Sequence, residues 1–324
     1  MQRLAPMAPN PPLTIVTGFL GSGKTTLLRA LLEGGAGGRR LALLVNEFGQ
    51  VGLDGAALAR AGGAPIIELA GGCVCCEAGA DFLVAIEELL DTAPDQIVVE
   101  ASGLAEPGGI IRRALAAGLK LDAVVAVADA ANLDVALATL PVATWQLRSA
   151  DLIVLSKCDL VGPADRAAVE SRLRELNPRA AIIPAAHGVV PPALLFGPRM
   201  ADAALAVAPE HHANGFAALT WRSDVPLRRA ALEEVLRALP RTIYRAKGLV
   251  HCSDAPWPDE LHLVAGRHTL TAVRLRVPVA PLNTLVFLGP QLDAHAEALH
   301  ATLDACADTA ERVVVWRERY AALF

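Results

Sequence analysis

Neither lysine nor arginine gathers into a long run anywhere in this chain, and its net charge is −5. A polyanionic partner calls for a concentrated basic footprint, so no nucleic-acid partner is expected. No apolar run reaches the length of a membrane span, and Met1-Gln2-Arg3-Leu4-Ala5-Pro6 offers no apolar core of signal-peptide length before Pro9, Pro11 and Pro12. The expectation is a cytoplasmic chain with no membrane partner. Cysteine is also scarce. Six in 324 residues are too few for a disulfide scaffold, yet Cys73, Cys75 and Cys76 crowd together, which suits metal binding in a reducing compartment. Histidine forms no tract beyond His211-His212, which reads as a solvated loop pair, and no internal repeat is found. What is present, 53% hydrophobic and 19% charged residues, is the balance of a globular protein with core enough for about two domains.

Short β-branched runs alternate with Ala/Leu-rich stretches of helical character. Strands are expected over 13–17, 41–46, 66–69, 96–100, 123–127, 152–156 and 181–184, with helices over 24–33, 80–90, 109–117 and 164–176. The fold class is α/β, a parallel sheet with helices on both faces. From 188 to 214 the chain turns to Pro, Gly and Ala without regular pattern, as a linker does. The expected organisation is a flexible tail over 1–12, a nucleotide-binding domain over 13–187, the linker, and a smaller α+β domain over 215–324. In that domain strands are expected over 216–222, 249–252, 262–265, 268–276 and 283–288, and helices over 227–239 and 291–307. His251, His262 and His268 alternate with apolar residues and should line it.

Gly18-Phe19-Leu20-Gly21-Ser22-Gly23-Lys24-Thr25 is a complete phosphate-binding loop. It follows an expected strand and opens an expected helix, the context in which glycines let backbone N–H groups close around phosphates and the helix N-terminus adds its positive dipole end. Lys24 should reach the β- and γ-phosphates, Thr25 should bind Mg²⁺ and Thr26 should sit near the α-phosphate. Ser156-Lys157-Cys158-Asp159 follows another apolar strand and resembles the guanine-reading motif of P-loop GTPases. There the Asp accepts from guanine N1 and N2 hydrogens and the Lys stem covers the ring, which favours GTP. Ser156 stands where that motif has Asn. For Lys157 and Asp159 alone, the competing reading is a helix start capped by Asp159.

Gly72-Cys73-Val74-Cys75-Cys76 offers soft ligands for Zn²⁺ and related ions, but three thiolates this close cannot easily close a tetrahedral site round one ion. Two cysteines with outside ligands form the better site, and such an incomplete set binds reversibly, as a carrier needs. Buried cysteines acting as small hydrophobes, or a redox pair, are the competing readings. Cys158, Cys252 and Cys306 stand alone and read as core packing.

Taken in order, Gly18 to Thr26, Asn46-Glu47-Phe48-Gly49, Gly71 to Cys76, Glu100-Ala101-Ser102-Gly103-Leu104-Ala105-Glu106-Pro107 and Ser156 to Asp159 resemble the CobW-type branch of P-loop GTPases, relatives of the nickel-insertion GTPases HypB and UreG. Tyr244 to Gly248 and Val286 to Gly289 resemble that family's C-terminal domain. The resemblance implies a GTP-hydrolysing metallochaperone using GTP, Mg²⁺ and Zn²⁺ or Co²⁺. Its partners would be a client metalloprotein and a second copy in a nucleotide- or metal-dependent homodimer. Glu100 takes the place of a Walker B acid, and Glu47 lies in what resembles the first switch, where it could touch Mg²⁺, the attacking water or the transported metal. Lys24, Thr25, Glu47 and Glu100 are the expected catalytic groups. Gly18, Gly21, Ser22, Gly23, Thr26, Ser102, Gly103, Ser156, Lys157 and Asp159 are the further nucleotide contacts. Ser102 and Gly103 resemble the second switch, where a backbone N–H meets the γ-phosphate. Gln50 stands where many relatives have a second Glu. Asp129 reads as a helix cap, and His187 as either a ligand contact or an ordinary loop residue. Turnover should be slow, since no arginine finger is evident. Two other functions remain open: a regulatory GTPase gating cofactor loading without carrying metal, and an ATP-dependent small-molecule kinase.

Overall fold

The computed structural model describes residues 11–46, 63–69, 79–197, 210–212, 216–275 and 277–322. The chain divides into two compact units, Met1–Phe196 and Gly197–Phe324. The first runs Leu13–Thr17 (β1), Lys24–Glu33 (α1), Leu41–Asn46 (β2), Ile66–Leu69 (β3), Gly79–Asp91 (α2), Gln96–Glu100 (β4), Pro107–Ala116 (α3), Leu121–Asp129 (β5), Leu133–Thr139 (α4), Pro141–Ser149 (α5), Leu152–Ser156 (β6), Pro163–Leu176 (α6), Ala181–Pro184 (β7) and Pro192–Phe196 (α7).

A strand that is buried at every position needs a neighbour on each edge and a cover on each face. β1, β4 and β6 are all of this kind, which is why their sequences are largely apolar and do not alternate. The seven strands pair in parallel in the order β3-β2-β4-β1-β5-β6-β7. On one side, Leu13, Ile15, Leu44 and Val99 pack with Phe82, Ile86 and Leu89 of α2 and Ile110 of α3. Elsewhere Ala126, Ile153 and Leu155 pack with Leu133, Leu147 and Leu173 from α4, α5 and α6. Helix α1 buries Leu27, Leu28, Leu31 and Leu32, one face of a 3.6-residue repeat. Fully burying each such leucine contributes about 1.5–3 kcal/mol, so the helix that carries the phosphate loop is anchored by its apolar face.

Two features differ from the sequence expectations. Helices α4 and α5 were not anticipated; Pro141 at the first turn of α5 separates them, with Leu140 extended between. The segment expected to open the linker at 188 instead buries Val190, Leu194, Leu195 and Phe196, and the division between units falls after Phe196.

The second unit runs Glu210–His212 (β8), Phe216–Ser223 (β9), Arg229–Ala238 (α8), Arg245–Val250 (β10), Asp259–Val264 (β11), Arg267–Ala272 (β12), Asn283–Pro290 (β13), Ala296–Asp304 (α9) and Ala310–Ala321 (α10). Its strands form an antiparallel sheet in the order β12-β11-β10-β13-β9-β8. The turn joining β11 to β12 is Ala265-Gly266, both with positive φ (48° and 80°), as a tight hairpin requires. Trp221, Leu232, Leu236, Phe287 and Leu303 build the core between sheet and helices. His211 and His212, read as a loop pair, lie in the short strand β8. His251 and His262 are buried, as anticipated, while His268 is only partly so. The helix expected over 291–307 is interrupted, a turn of 3₁₀ helix at Leu292–His295 preceding α9. Among the described residues, no helix is long and apolar enough to cross a membrane.

Candidate functional site

Because the first sheet is wholly parallel, all its strands deliver their carboxyl ends to one edge, where ligands of such folds bind. Thr17, Glu100, Asp129 and Ser156 end β1, β4, β5 and β6, so the loops after them converge. The loop after β1 is shaped by Gly18, whose φ of 139° suits glycine and whose missing Cβ would lie 2.9 Å from Ser22 Oγ and against Val127 O. Gly21, at φ 73°, turns the loop's tip, and Gly23 precedes α1, whose first turn has no side-chain cap. A helix N-terminus opening on such a loop is where phosphates bind. Lys24 is buried, with Nζ donating to Gly18 O (2.9 Å) and Phe19 O (3.4 Å). Thr25 Oγ1 donates to Glu100 Oε1 at 3.1 Å. Thr26 follows in the same turn, and Ser22 Oγ is buried without a hydrogen bond to any described residue. A cation, a hydroxyl, a carboxylate and a helix N-terminus thus meet at one loop.

The segment after β4 lies directly against this loop. A Cβ on Gly103 would stand 2.8 Å from Leu20 N and 3.1 Å from Leu20 Cα, so only a glycine permits the approach. Ser102 is buried and its Oγ accepts from Leu104 N at 3.4 Å. Gln146, which the sequence did not single out, donates from Nε2 to Gly103 O and Ala105 O.

Ser156, expected among the nucleotide contacts, lies against the phosphate loop and is buried. Its hydroxyl faces inward, with Ser22 O (2.6 Å) the nearer acceptor for its one proton and Ala128 O also within reach (3.1 Å), so it braces the phosphate loop. Lys157 Nζ donates to Asp129 Oδ2 at 2.7 Å, and Asp129 also accepts from Ala131 N and Asn132 Nδ2 at 2.9 Å each. Burial pushes the Asp129 carboxyl up, but the bonds from Lys157, Asn132 and Ala131 outweigh it and hold the group below its ordinary value. Asp129 is thus a persistent anion that fixes Lys157 and not the helix cap expected of it: the N-cap of α4 is Asn132, and Asp129 closes the turn before that helix through Ala131 N. Asp159 follows in the 3₁₀ turn Cys158–Leu160, with its Oδ2 4.0 Å from Nδ1 of the exposed His187.

Gly188 closes this side. Its φ is 76°, and a Cβ there would meet Thr26 O at 2.8 Å and Leu27 N at 3.0 Å, both backbone atoms of α1. Gly188→Ala is expected to destabilise the protein by about 1–3 kcal/mol through backbone strain and collision, and to weaken GDP binding with it. Thermal melting with and without GDP checks this; a wild-type melting temperature would show that the loop after β7 does not constrain α1.

Cys73, Cys75, Cys76, Glu47 and Gln50 lie outside the described residues. Among the described residues, no group of three or more His, Cys, Asp or Glu side chains could hold a metal ion. Burial pushes the Cys252 thiol up to about 12 and raises Cys158 and Cys306 as well, so all three stay protonated near neutrality and are poor metal ligands. Cys252 and Cys306 are buried in the second core, and Cys158 packs partly buried in the first.

A family model for the nucleotide-binding domain of CobW, HypB and UreG matches residues 12–184. A second, for the C-terminal domain of the cobalamin synthesis protein CobW, matches residues 216–307. Zinc chaperone YjiA of Escherichia coli (strain K12) is 30% identical over 303 residues, covering 86% of this chain and 94% of that protein. Zinc chaperone CobW of Pseudomonas aeruginosa is 35% identical over 294 residues, covering 76% and 78%. Zinc chaperone CobW of Sinorhizobium sp is 36% identical over 220 residues, and that alignment takes in 57% of this chain and 62% of the relative.

Proposed function

Since this chain belongs to the CobW/HypB/UreG family and is a GTPase, we propose that it is a metallochaperone that binds Zn²⁺ in its GTP state and releases the ion to a client protein after hydrolysis. The observation that carries the proposal is one domain combining the assembled phosphate loop with the triplet Cys73, Cys75 and Cys76. The names of its relatives support zinc as the cargo. Co²⁺ suits the same thiolates and is an alternative cargo. Two of the cysteines, with Glu47 or other outside ligands, would form the site. Both sites belong to the nucleotide-binding domain, matched over residues 12–184, and the proposed assembly is a cytoplasmic protein that pairs with a second copy when nucleotide or metal is bound.

Each residue of the nucleotide site then has a task. Lys24 exchanges its loop carbonyls for the β- and γ-phosphates. The backbone of Ser102 and Gly103, lying against the phosphate loop, is placed to meet the γ-phosphate. Asp159 accepts from the guanine edge while Lys157, fixed by Asp129, covers the ring. Ser156 keeps the floor of the loop in place. Thr25 Oγ1 and Glu100 Oε1, hard oxygens 3.1 Å apart, fit Mg²⁺, with Thr25 as the ligand and Glu100 orienting the ion or its waters. When bound, that ion neutralises charge on the β- and γ-oxygens. GTP orders the segments around Glu47 and Ser102, and hydrolysis relaxes them.

The test is reciprocity. Purified protein titrated with Co²⁺ should develop thiolate-to-metal absorption at lower metal concentration with a non-hydrolysable GTP analogue than with GDP. By linkage, metal should tighten analogue binding by the same factor. Equal midpoints with both nucleotides would leave a regulatory GTPase that carries no metal.

A further inference from the structure

We infer that Gln146 is a positioning residue for GTP hydrolysis: its side-chain amide latches the turn over 102–105 against the phosphate loop. Gln146 is 1% exposed and lies in α5. Its Nε2 carries two N–H groups, and they go to two carbonyls of one turn, Gly103 O at 3.1 Å and Ala105 O at 3.0 Å. The turn is closed internally by Ala105 N donating to Ser102 O at 2.9 Å. Gly103 meets the backbone of Leu20, so a displacement of the turn is a displacement from the phosphate loop. Helix α5 is itself tied to that loop, because Phe19 packs with Ala143 of α5 and Ala136 of α4. One helix therefore holds both walls of the γ-phosphate side.

The other half of the amide shows why packing does not explain a glutamine here. Gln146 Oε1 is buried and accepts no hydrogen bond from any described residue. A buried acceptor without a donor is costly, and an apolar side chain of the same volume would remove that cost. The two donors are what the position gains from glutamine. They satisfy carbonyls of the segment that must respond to GTP and not to GDP.

The inference rests on the nucleotide reading above, and its test separates the two. Gln146→Met keeps the volume and removes the donors, while Gln146→Glu sets an acceptor against two carbonyls. Affinity for a non-hydrolysable GTP analogue, affinity for GDP, kcat, KM and melting temperature are measured for both and for wild type. The expected result is a loss of about tenfold in kcat and in analogue affinity for Gln146→Met, a larger loss for Gln146→Glu, and GDP affinity within twofold of wild type for Gln146→Met. Wild-type kcat and analogue-to-GDP affinity ratio in both variants, with or without a lower melting temperature, would make the bonds merely structural and overturn the inference. So would a rise in analogue affinity, or an equal fall for both nucleotides. Wild-type protein that binds no GTP overturns the nucleotide reading and this inference with it.

Discussion

Lys24→Ala is expected to lower GTP turnover by about 10²–10³-fold, the loss typical when a single preorganised donor to developing charge is removed. The ammonium lies 2.9 Å from Gly18 O and 3.4 Å from Phe19 O, inside the curve of the loop and largely shielded from water. In that setting its charge acts at short range and lower effective dielectric than on an open surface. Alanine removes both the charge and the donors. The analogue should lose more affinity than GDP, because the proposed γ-phosphate contact is available only with the triphosphate. Lys24→Arg preserves charge but puts a planar fork where a compact ammonium fits, so it should fail in the same direction. Phosphate release at saturating GTP measures the effect. Wild-type turnover in either variant would remove Lys24 from the chemistry and with it the proposed geometry of the site.

The first sheet was readable because its strands are buried on both faces. Leu13–Thr17, Leu41–Asn46, Gln96–Glu100 and Leu152–Ser156 are short, largely apolar and rich in Ile, Val and Leu, and the sequence limits agree with the structure. The strand expected over 123–127 extends to Leu121–Asp129 because β1 and β6 continue to pair with its ends. The second unit was less legible. A strand was expected over 249–252, but β10 is Arg245–Val250, whose Arg245 and Lys247 disguise an inner strand paired with β11 on one side and β13 on the other. Arg245 is fully buried there, and a pattern that treats charge as exposed misses such a position. Helix α10 escaped notice because its outer face carries charged residues while Trp316 and Tyr320 are buried on the other.

For the nucleotide site, local motifs identified the loop but not what holds it. The pairing of Thr25 with Glu100 joins positions far apart in the chain, and the sequence suggests it only because Glu100 stands at an expected strand end and Thr25 at the start of the helix that follows the phosphate loop. Ser156 shows the limit. As a letter in a motif it suggests base contact; the motif says nothing of the bond its hydroxyl makes to Ser22 O in the phosphate loop. Asp129 is opposite Ser156 in register, and that neighbour relation brings it to Lys157. Gln146 carried no signal at all, since a lone polar residue in an unanticipated helix has meaning only once the turn it bonds is in place.

Replacing Cys73, Cys75 and Cys76 together by Ser should reduce zinc affinity by more than the 10–100-fold that changes around a metal's ligands typically cost, roughly a lower bound when the ligands themselves are lost. A serine hydroxyl does not ionise near neutrality, whereas a metal-bound cysteine does, so the substitution removes charge and softness together. The pH dependence gives a second readout. In the wild type each ligating thiol must lose a proton to bind zinc, so apparent affinity climbs with pH below the free thiol value of about 8.5. The triple variant should lose that climb. It should also lose the coupling by which zinc tightens analogue binding, since a ligand with no differential affinity for two states shifts neither. GDP-induced thermal stabilisation confirms that the variant is folded. Single variants divide the work further: if two cysteines suffice, one Ser substitution should be nearly silent while the other two each abolish the cobalt band. A folded triple variant that keeps zinc affinity, its pH dependence and full client activation would place the ion elsewhere and leave the cysteines outside the cycle of GTP hydrolysis.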